Sequence, residues 1–530
     1  MRQDHDLDPY DQREGGQIDQ TYDYDLNNIQ YRPMTVDDWS QVPNSQSYYS
    51  QYWDNSSSFE PSQFSNNMRA EKTYYDSKYS LLFFVNIFVT ITLIVYLSLH
   101  FKVETLQDFL DENNFNTSLT TVHADNSKQD IQTVYLKSLR VPLTLSFIIA
   151  FGINLIHFIY AHLLSQFYIK FGMLAGLIFS GLYCVATFLT GGFGSILLSG
   201  LMLVLSSFWY CLVQSRIPFS SAIFKTTTKL VLENPSIVLL CLIHTIISFA
   251  INVGYIFICV CTAAMHFSPF WYVYCVFSYT WITLTITYVI YMTGAGLAAS
   301  WYFLNGTPNY PKHPIWESFK RSSTTSFGSA CLAALIVAVI EALRAFVKLV
   351  RQQNRNRNNN DRNNDNAARL ILEIVSCLAL CILSILESFA QWISHYALIY
   401  CSIFGVPYYE GCRRWAELEY TRFINVLIDG CVIRDALNYN MILFVIFSGL
   451  ISHPISLMFF KSGSTPNILF VTLSVIFTLV GLTLMNDPIS TMSDTLLVCF
   501  AESPATLKEN NNDLYNILCR AYTNQLNARL

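Results

Sequence analysis

Long apolar runs and short polar stretches alternate along most of this chain. After a polar N-terminal region of about 78 residues there are ten apolar segments. Each is close to the roughly 20 residues that a helix needs to cross about 30 Å of hydrocarbon. The first runs from Ser80 to Leu99, and a polar loop to about Arg140 precedes the second, from Val141 to about Leu164. The pattern predicts an all-α, polytopic integral membrane protein with about ten transmembrane helices.

Glycine and proline divide the two longest apolar stretches. No charged residue occurs from Phe171 to Ser215, and the turn "TGGFGS" at 190–195 divides this stretch into a third and a fourth span. A region near Pro269 similarly divides the uncharged stretch 234–311 into a fifth and a sixth span. The remaining spans are predicted at 322–340, Leu370–Ser394, Leu437–Phe460 and Ile468–Met485.

The seventh segment gains charges in its second half. Glu341, Arg344 and Lys348 follow an uncharged stretch that is already long enough to span, and their spacing places them on one stripe of the helix. We expect this helix to finish its crossing near Ile340 and to continue along the membrane interface with its charges paired. Glu341 becomes a transport residue only if this end of the helix opens on a substrate cavity.

Composition supports the same class of protein. The chain is 52% hydrophobic and 13% charged, with a net charge of -5, which disfavours a nucleic-acid-binding surface. The 14 cysteines lie mostly in apolar runs, where they behave as small hydrophobic residues, and no metal site is predicted. We predict a disordered tail at 1–78, a ten-span domain at 79–501 with an outer loop at 100–140 and an Asn/Arg-rich linker at 351–368, and a C-terminal tail at 502–530.

Positive charge in the short loops predicts the orientation. Lysine and arginine favour the cytosolic side, and they follow the fourth, sixth and eighth spans, which places both termini in the cytosol. No cleavable signal peptide is expected, because no basic region followed by a hydrophobic core begins the chain. The loop after the first span then faces outward, so the sequon at Asn116 predicts N-glycosylation there. The basic linker 351–368 should also face outward, against this charge rule, and its orientation stays open.

Several polar blocks resemble those of the choline transporter-like family, the group that includes the fungal Pns1-type proteins. They are "SRIPFSSAIFK" with "ENPS" after it, "SFKRSSTTSFGS", "SHYALIYCSIFGVPYYEGCRRWAEL" and "LLVCFAESPATL". The resemblance covers about residues 80–525. It implies ten membrane helices, cytosolic termini and transport of choline or related amines across the plasma membrane or, alternatively, an internal organelle membrane. This chain departs from the family pattern at 402–405 and 331–333, which leaves the substrate open.

A quaternary ammonium has no proton to donate, so its partners are aromatic faces and carboxylates. Trp281 and Tyr288 lie deep in the sixth span on one helical face and are candidate cation-binding residues. The alternative is that aromatic residues of this span are membrane-interface anchors or packing groups. The other candidates are Asn252 as a polar contact or a tie between helices, Glu341 or Glu387 as the negative counterpart, and Trp209 and Tyr210 near the end of the fourth span.

These observations predict a transporter for choline or a related organic cation that works by alternating access. No phosphate-binding loop, zinc-binding helix or hydrolase nucleophile motif occurs, so we expect neither an ATPase nor an enzyme, and no cofactor. His395 is the one histidine to check for acyltransferase chemistry. The alternatives are a non-transporting membrane scaffold or sorting protein whose tyrosine-rich tail recruits partners, and a channel or lipid-handling protein. The expected partners are the small cation and the lipid bilayer, and the sequence leaves the oligomeric state open.

Overall fold

The structure is a computed structural model that describes residues 74–100, 128–265, 267–360, 366–418, 420–459 and 465–527. All regular elements in these residues are helices. The predicted tail up to residue 73, the sequon at Asn116 and part of the 351–368 linker lie outside the described residues.

Fifteen α-helices occur in the described part of the chain. In chain order they are α1 Ser77–His100, α2 Lys128–Leu163, α3 Ser165–Thr190, α4 Phe193–Val213, α5 Ile217–Glu233, α6 Ser236–Ala264, α7 Phe270–Leu304, α8 Pro314–Ser323, α9 Phe327–Asn360, α10 Asn366–Phe404, α11 Tyr408–Glu417, α12 Tyr420–Phe459, α13 Thr465–Glu502, α14 Pro504–Asn510 and α15 Asn512–Asn527. A short 3-10 turn, Gln214–Arg216, joins α4 to α5.

Ten stretches of these helices are long and apolar enough to cross a membrane, which confirms the predicted fold class. Several spans extend beyond their predicted bounds, and two of these extensions bear on the site. The ninth runs from Val426 to Phe459, and the tenth continues from Pro466 to Glu502 through Pro488. Proline is tolerated inside a membrane helix when neighbouring helices and side chains satisfy the freed backbone groups. The proline therefore does not end α13, and the last apolar piece belongs to it.

The short helices α8, α11 and α14 lie at one end of the bundle, which we call the capped end. Three contacts join the helix termini there. The Tyr302 hydroxyl near the end of α7 donates to the Ser503 carbonyl, 2.9 Å away, and Tyr400 of α10 hydrogen-bonds to Glu502 of α13. Asp76, just before α1, accepts a hydrogen bond from the first backbone amide of α11, at Tyr408. The two termini of the bundle thus meet the interhelical connections at the same end.

Helix α7 lies at the centre of the packing and contacts α1, α6, α9, α10 and α13. Its last turns are almost completely buried, from Met292 to Ser300 without interruption. Most of these side chains are small, and small residues allow membrane helices to approach closely where no water can be displaced. The capped half of α7 is therefore enclosed in the bundle's interior.

Helices α3 and α12 also pack closely, at two glycines of α3. A Cβ added at Gly172 would lie 2.8 Å from the Ala436 carbonyl oxygen and 2.9 Å from its Cα. At Gly176 it would collide with the ring of Tyr439. The contact at Gly172 is the more restrictive, because backbone atoms cannot rotate away as a side chain can.

We predict that Gly172→Ala destabilises the protein by about 1–3 kcal/mol, the usual cost of overpacking, because the new methyl group would meet the α12 backbone. The matched control is Gly152→Ala in α2, where an added Cβ would have nothing within 4 Å. The measurement is the melting temperature of each purified variant in the same detergent. Equal melting temperatures for the two variants would contradict the close approach of α3 and α12.

Candidate functional site

A cluster of polar side chains lies where α7, α10, α12 and α13 meet. Asp494 of α13 is 1% exposed. One of its oxygens, Oδ2, lies 2.7 Å from Nε2 of His395 on α10 and 2.8 Å from Nη2 of Arg434 on α12. On α7, the ring of Tyr291 lies 4.4 Å from the His395 ring, centre to centre. We call these four residues the Asp494 cluster.

The cluster is deep inside its helices. Asp494 lies eight residues before the end of α13 and His395 lies nine before the end of α10, which is about 12–14 Å along a helix axis. An isolated carboxylate at such a depth is strongly disfavoured. Arg434 and His395 compensate it, and Gly430 makes room, because a Cβ there would lie 2.8 Å from Oδ1 of Asp494.

Aromatic rings surround the charged groups. The buried hydroxyl of Tyr291 has no hydrogen-bond partner among the described residues. The ring of Tyr396 meets His395 edge-on at 5.3 Å and stacks on Trp415 of α11 at 4.2 Å. The site therefore offers a carboxylate, aromatic faces and an unused hydroxyl, which are the groups that can recognise a small organic cation with a polar end.

A second buried ion pair lies closer to the capped end. Arg216, at the start of α5, is 3.4 Å from Oδ2 of Asp429 on α12, and both residues are almost fully buried. The Ser220 hydroxyl donates to the other oxygen of Asp429 at 3.2 Å. Helix α12 thus carries an acid that pairs with α5 and, one turn later, the Arg434 that pairs with α13.

Asp76 joins the start of α1 to two of the polar blocks that carried the family resemblance. Its Oδ2 accepts hydrogen bonds from the Ser329 hydroxyl, 2.8 Å away, and from the Tyr408 backbone amide, 3.0 Å away. The Tyr408 hydroxyl is in turn 2.9 Å from Ser394 on α10. Burial raises the pKa of Tyr408, so this hydroxyl stays protonated at neutral pH and keeps its hydrogen bond.

The two favoured aromatic candidates both lie on α7, in different surroundings. Trp281 is 2% exposed, its indole N–H donates to the Cys331 carbonyl at 3.0 Å, and Phe83 and Phe277 pack against its ring. Its ring is enclosed among α1, α7 and α9. Tyr288 is also buried, lies one turn before Tyr291 and lies near Ser394 of α10.

The candidates on α4 and α6 are not members of the Asp494 cluster. Asn252 is exposed on α6, where its side-chain oxygen accepts from Tyr279 of α7 and its nitrogen donates to the Ser248 carbonyl, both at 2.8 Å. Trp209 donates to Asp435 of α12 at 3.2 Å. Tyr210 is partly buried against the apolar core. Asn252 and Trp209 thus each join two neighbouring helices.

Glu341 and Glu387 both pair with Arg344, away from the capped end. Arg344 lies 2.9 Å from Glu341 and also pairs with Glu387 of α10. Helix α9 continues past Ile340 to Asn360, and the expected pairing of its charges is seen at Glu341 and Arg344. The sequence did not identify Glu387, in the middle of α10, as a second partner of Arg344. That this part of α9 lies along the membrane interface stays a prediction.

Comparison with known sequences assigns the family. The family described as plasma-membrane choline transporter matches residues 199–505, which is more than half of the chain. The chain belongs to the choline transporter-like family. Protein PNS1 of Debaryomyces hansenii is 25% identical over 407 residues, which cover 71% of this chain and 76% of that protein. A CTL-like protein of Dictyostelium discoideum is 25% identical over 64% of this chain and 59% of its own length.

This choline transporter-like protein therefore has a membrane transporter role, and the resemblance in its polar blocks is confirmed. A further relative, Protein PNS1 of Eremothecium gossypii, is 25% identical over 61% of each chain. The chain covers less than two thirds of two of these three relatives. All four members of the Asp494 cluster lie inside the matched segment 199–505.

Sequence reasoning missed Tyr291, Arg434 and Asp494, and it considered His395 only for acyltransferase chemistry. Two of the misses follow from the span boundaries. The predicted ninth span began after Arg434, and the predicted tenth ended before Asp494, so neither charge counted as lying inside a span. The available signal was the apolar piece "TLLVCF" at 495–500, shortly after "NDP" at 486–488, which allows one helix to continue from the tenth span to the end of this piece.

We predict that Asp494→Asn lowers stability by about 3 kcal/mol or more, because Arg434 and His395 would keep their places without the opposing charge. Adding Arg434→Gln should restore part of the loss. The control is Glu417→Gln, which breaks an exposed pair with Arg413 and should cost at most about 1 kcal/mol. Melting temperatures in detergent measure all three. An Asp494→Asn variant as stable as Glu417→Gln would show that the buried ion pair does not hold these helices together.

Proposed function

We propose that this protein transports choline or a similar small organic cation by alternating access, and that the cation passes beside the Asp494 cluster. The observation that supports this best is a buried carboxylate, flanked by aromatic rings, where four helices of the bundle meet. We further propose that the transporter is not an enzyme and has no ATPase activity of its own.

The chemistry of the site suits a quaternary ammonium. Such a cation gains from aromatic faces and from a negative charge, and it needs no hydrogen-bond acceptor for its charged end. Tyr288 and Tyr291 supply rings on one helix. The Tyr291 hydroxyl has no partner in the described part of the chain, and it suits a polar end such as the hydroxyl of choline. Arg434 now neutralises Asp494, but its side chain is 41% exposed, so it has space to move when another cation arrives.

Of the residues singled out from the sequence, we retain Tyr288 for the cation path. We assign Trp281 to packing, because its ring is enclosed and its N–H is already bonded. Asn252, Trp209 and Glu387 already have partners on neighbouring helices, so we assign them to holding helices together. Glu341 pairs with Arg344 of its own helix, and we assign it to positioning that arginine. Tyr210 keeps a place in the packed core.

We propose that the capped end faces the cytosol, in the plasma membrane or an internal organelle membrane, with both termini on that side. Lysine and arginine outside the spans support this orientation, since Lys312, Lys320, Arg413 and Arg414 all lie in the connections at that end. Opening toward the cytosol then requires separation at some of the contacts among α1, α5, α10, α12 and α13. Contacts of this kind, between rigid helices at one end of a bundle, are what rocking motions make and break.

We predict that the purified protein takes radiolabelled choline into proteoliposomes, and that an inside-negative membrane potential increases the accumulation. One charge moving through 100 mV gains about 2.3 kcal/mol, so accumulation should approach roughly 50-fold per 100 mV if the cation moves alone. A valinomycin-clamped potassium gradient sets the potential. Uptake no higher than in vesicles without protein would contradict choline transport, whereas uptake that ignores the potential would contradict a lone cation as the transported species.

We predict that Tyr291→Leu lowers choline uptake about tenfold, because a desolvated cation–π contact contributes on the order of 1–2 kcal/mol. The matched control is Tyr272→Leu on the same helix, where the tyrosine is 52% exposed and lies outside the cluster. Initial uptake rates, normalised to reconstituted protein, make the comparison. Loss of uptake in Tyr272→Leu but not in Tyr291→Leu would move the cation path away from the cluster.

A further inference from the structure

A cavity of about 1000 Å³ lies at the capped end, apart from the Asp494 cluster. The first turn of α3, helix α5, the end of α7 and helix α15 form its walls. Four cationic side chains line it, on three different helices: Lys170, Lys225, Lys229 and Arg520. The residues described as lining it include no carboxylate. One of these cations, Lys229, lies 3.6 Å from the carboxylate of Glu233, which does not line the cavity.

The chemistry of this lining suits an anion more than a cation. Ammonium and guanidinium groups form strong charge-assisted hydrogen bonds with phosphate oxygens. The N-terminus of α3 also opens on the cavity, at Ser165 and Gln166, and the N-terminal end of a long helix carries a partial positive charge. A transported organic cation would be repelled here, so the cavity is not an extension of the proposed transport path.

Apolar side chains lie directly beside the cations. Leu163, Leu164 and Phe167, which line one side of the cavity, are 68%, 55% and 58% exposed. They lie at the junction of two predicted membrane spans, so acyl chains rather than water would cover them. Leu514 and Ile517 add apolar surface from α15. A ligand that fills this cavity must therefore combine an anionic group with hydrocarbon.

We propose that this cavity binds an anionic glycerophospholipid, with its phosphate-containing headgroup among the four cations and its acyl chains against Leu163, Leu164 and Phe167. Basic pockets between membrane helices at the headgroup level bind anionic lipids in this way. The lipid bridges α15 to α3 and α5 at the capped end. The site does not depend on which cation the protein transports.

The test is binding of short-chain lipids to the purified full-length protein, measured by native mass spectrometry in a neutral detergent. Dioctanoyl phosphatidylinositol 4-phosphate and dioctanoyl phosphatidylserine should bind at least tenfold more tightly than dioctanoyl phosphatidylcholine. The soluble headgroup, inositol 1,4-bisphosphate, should bind at least tenfold more weakly than the first of these lipids. Equal binding of phosphatidylcholine, or of the soluble headgroup, would overturn the proposal.

A pair of charge-matched variants locates the site. Lys170→Gln with Lys225→Gln should weaken binding of the anionic lipids at least fivefold. Lys312→Gln with Lys320→Gln removes the same charge from exposed positions at the same end that do not line the cavity, and should change binding less than twofold. Equal effects of the two double variants would mean that the lipid responds to overall charge, which would overturn the site. The comparison of lipids on the unmodified protein decides the matter even if a variant does not fold.

Discussion

The buried carboxylate of Asp494 imposes the strongest constraint on this bundle. A negative charge about 12 Å inside a membrane helix needs compensating groups at fixed positions, and no single neighbouring helix supplies them. Arg434 comes from α12 and His395 from α10, while Tyr291 of α7 packs on the histidine ring. The positions of four helices relative to one another therefore depend on satisfying one side chain.

The capped end extends this arrangement with contacts of the same kind. Asp429 pairs with Arg216 and accepts a hydrogen bond from Ser220. Glu502 accepts a hydrogen bond from Tyr400. Asp76 accepts hydrogen bonds from Ser329 and from the first backbone amide of α11. Each acid is matched to donors from a different helix. Because hydrophobic burial gives little preference between helix arrangements inside lipid, such polar contacts and close small-residue packing select one arrangement. The polar blocks that carry the family resemblance are largely the sequences that make these contacts.

The sequence was sufficient for the fold class, because the length and charge of an apolar segment decide whether it can span a membrane. It was insufficient for the site. The alternation of three and four residues placed Trp281 and Tyr288 correctly on one face of α7, but periodicity does not reveal which helices cover that face. Trp281 is enclosed by Phe83 of α1 and by α9, whereas Tyr291, one turn beyond Tyr288, meets His395. Arg434 and Asp494 are far apart in sequence, and only the tertiary arrangement of α12 and α13 pairs them.

Magnitudes limit how the capped end can open under the proposed mechanism. Breaking one buried ion pair without replacement costs about 3–5 kcal/mol, which exceeds the roughly 2.3 kcal/mol that one charge gains from 100 mV. Breaking the pairs of Asp494 and of Asp429 in the same step would cost more still. The less costly motion keeps Arg216 on Asp429, so that α5 and α12 move as one unit, and separates only Arg434 from Asp494. In the proposed mechanism, the arriving cation takes the place of Arg434 beside the carboxylate. Because Asp494 then exchanges one partner for another instead of losing one, the free-energy cost of the motion falls, and the motion depends on the substrate.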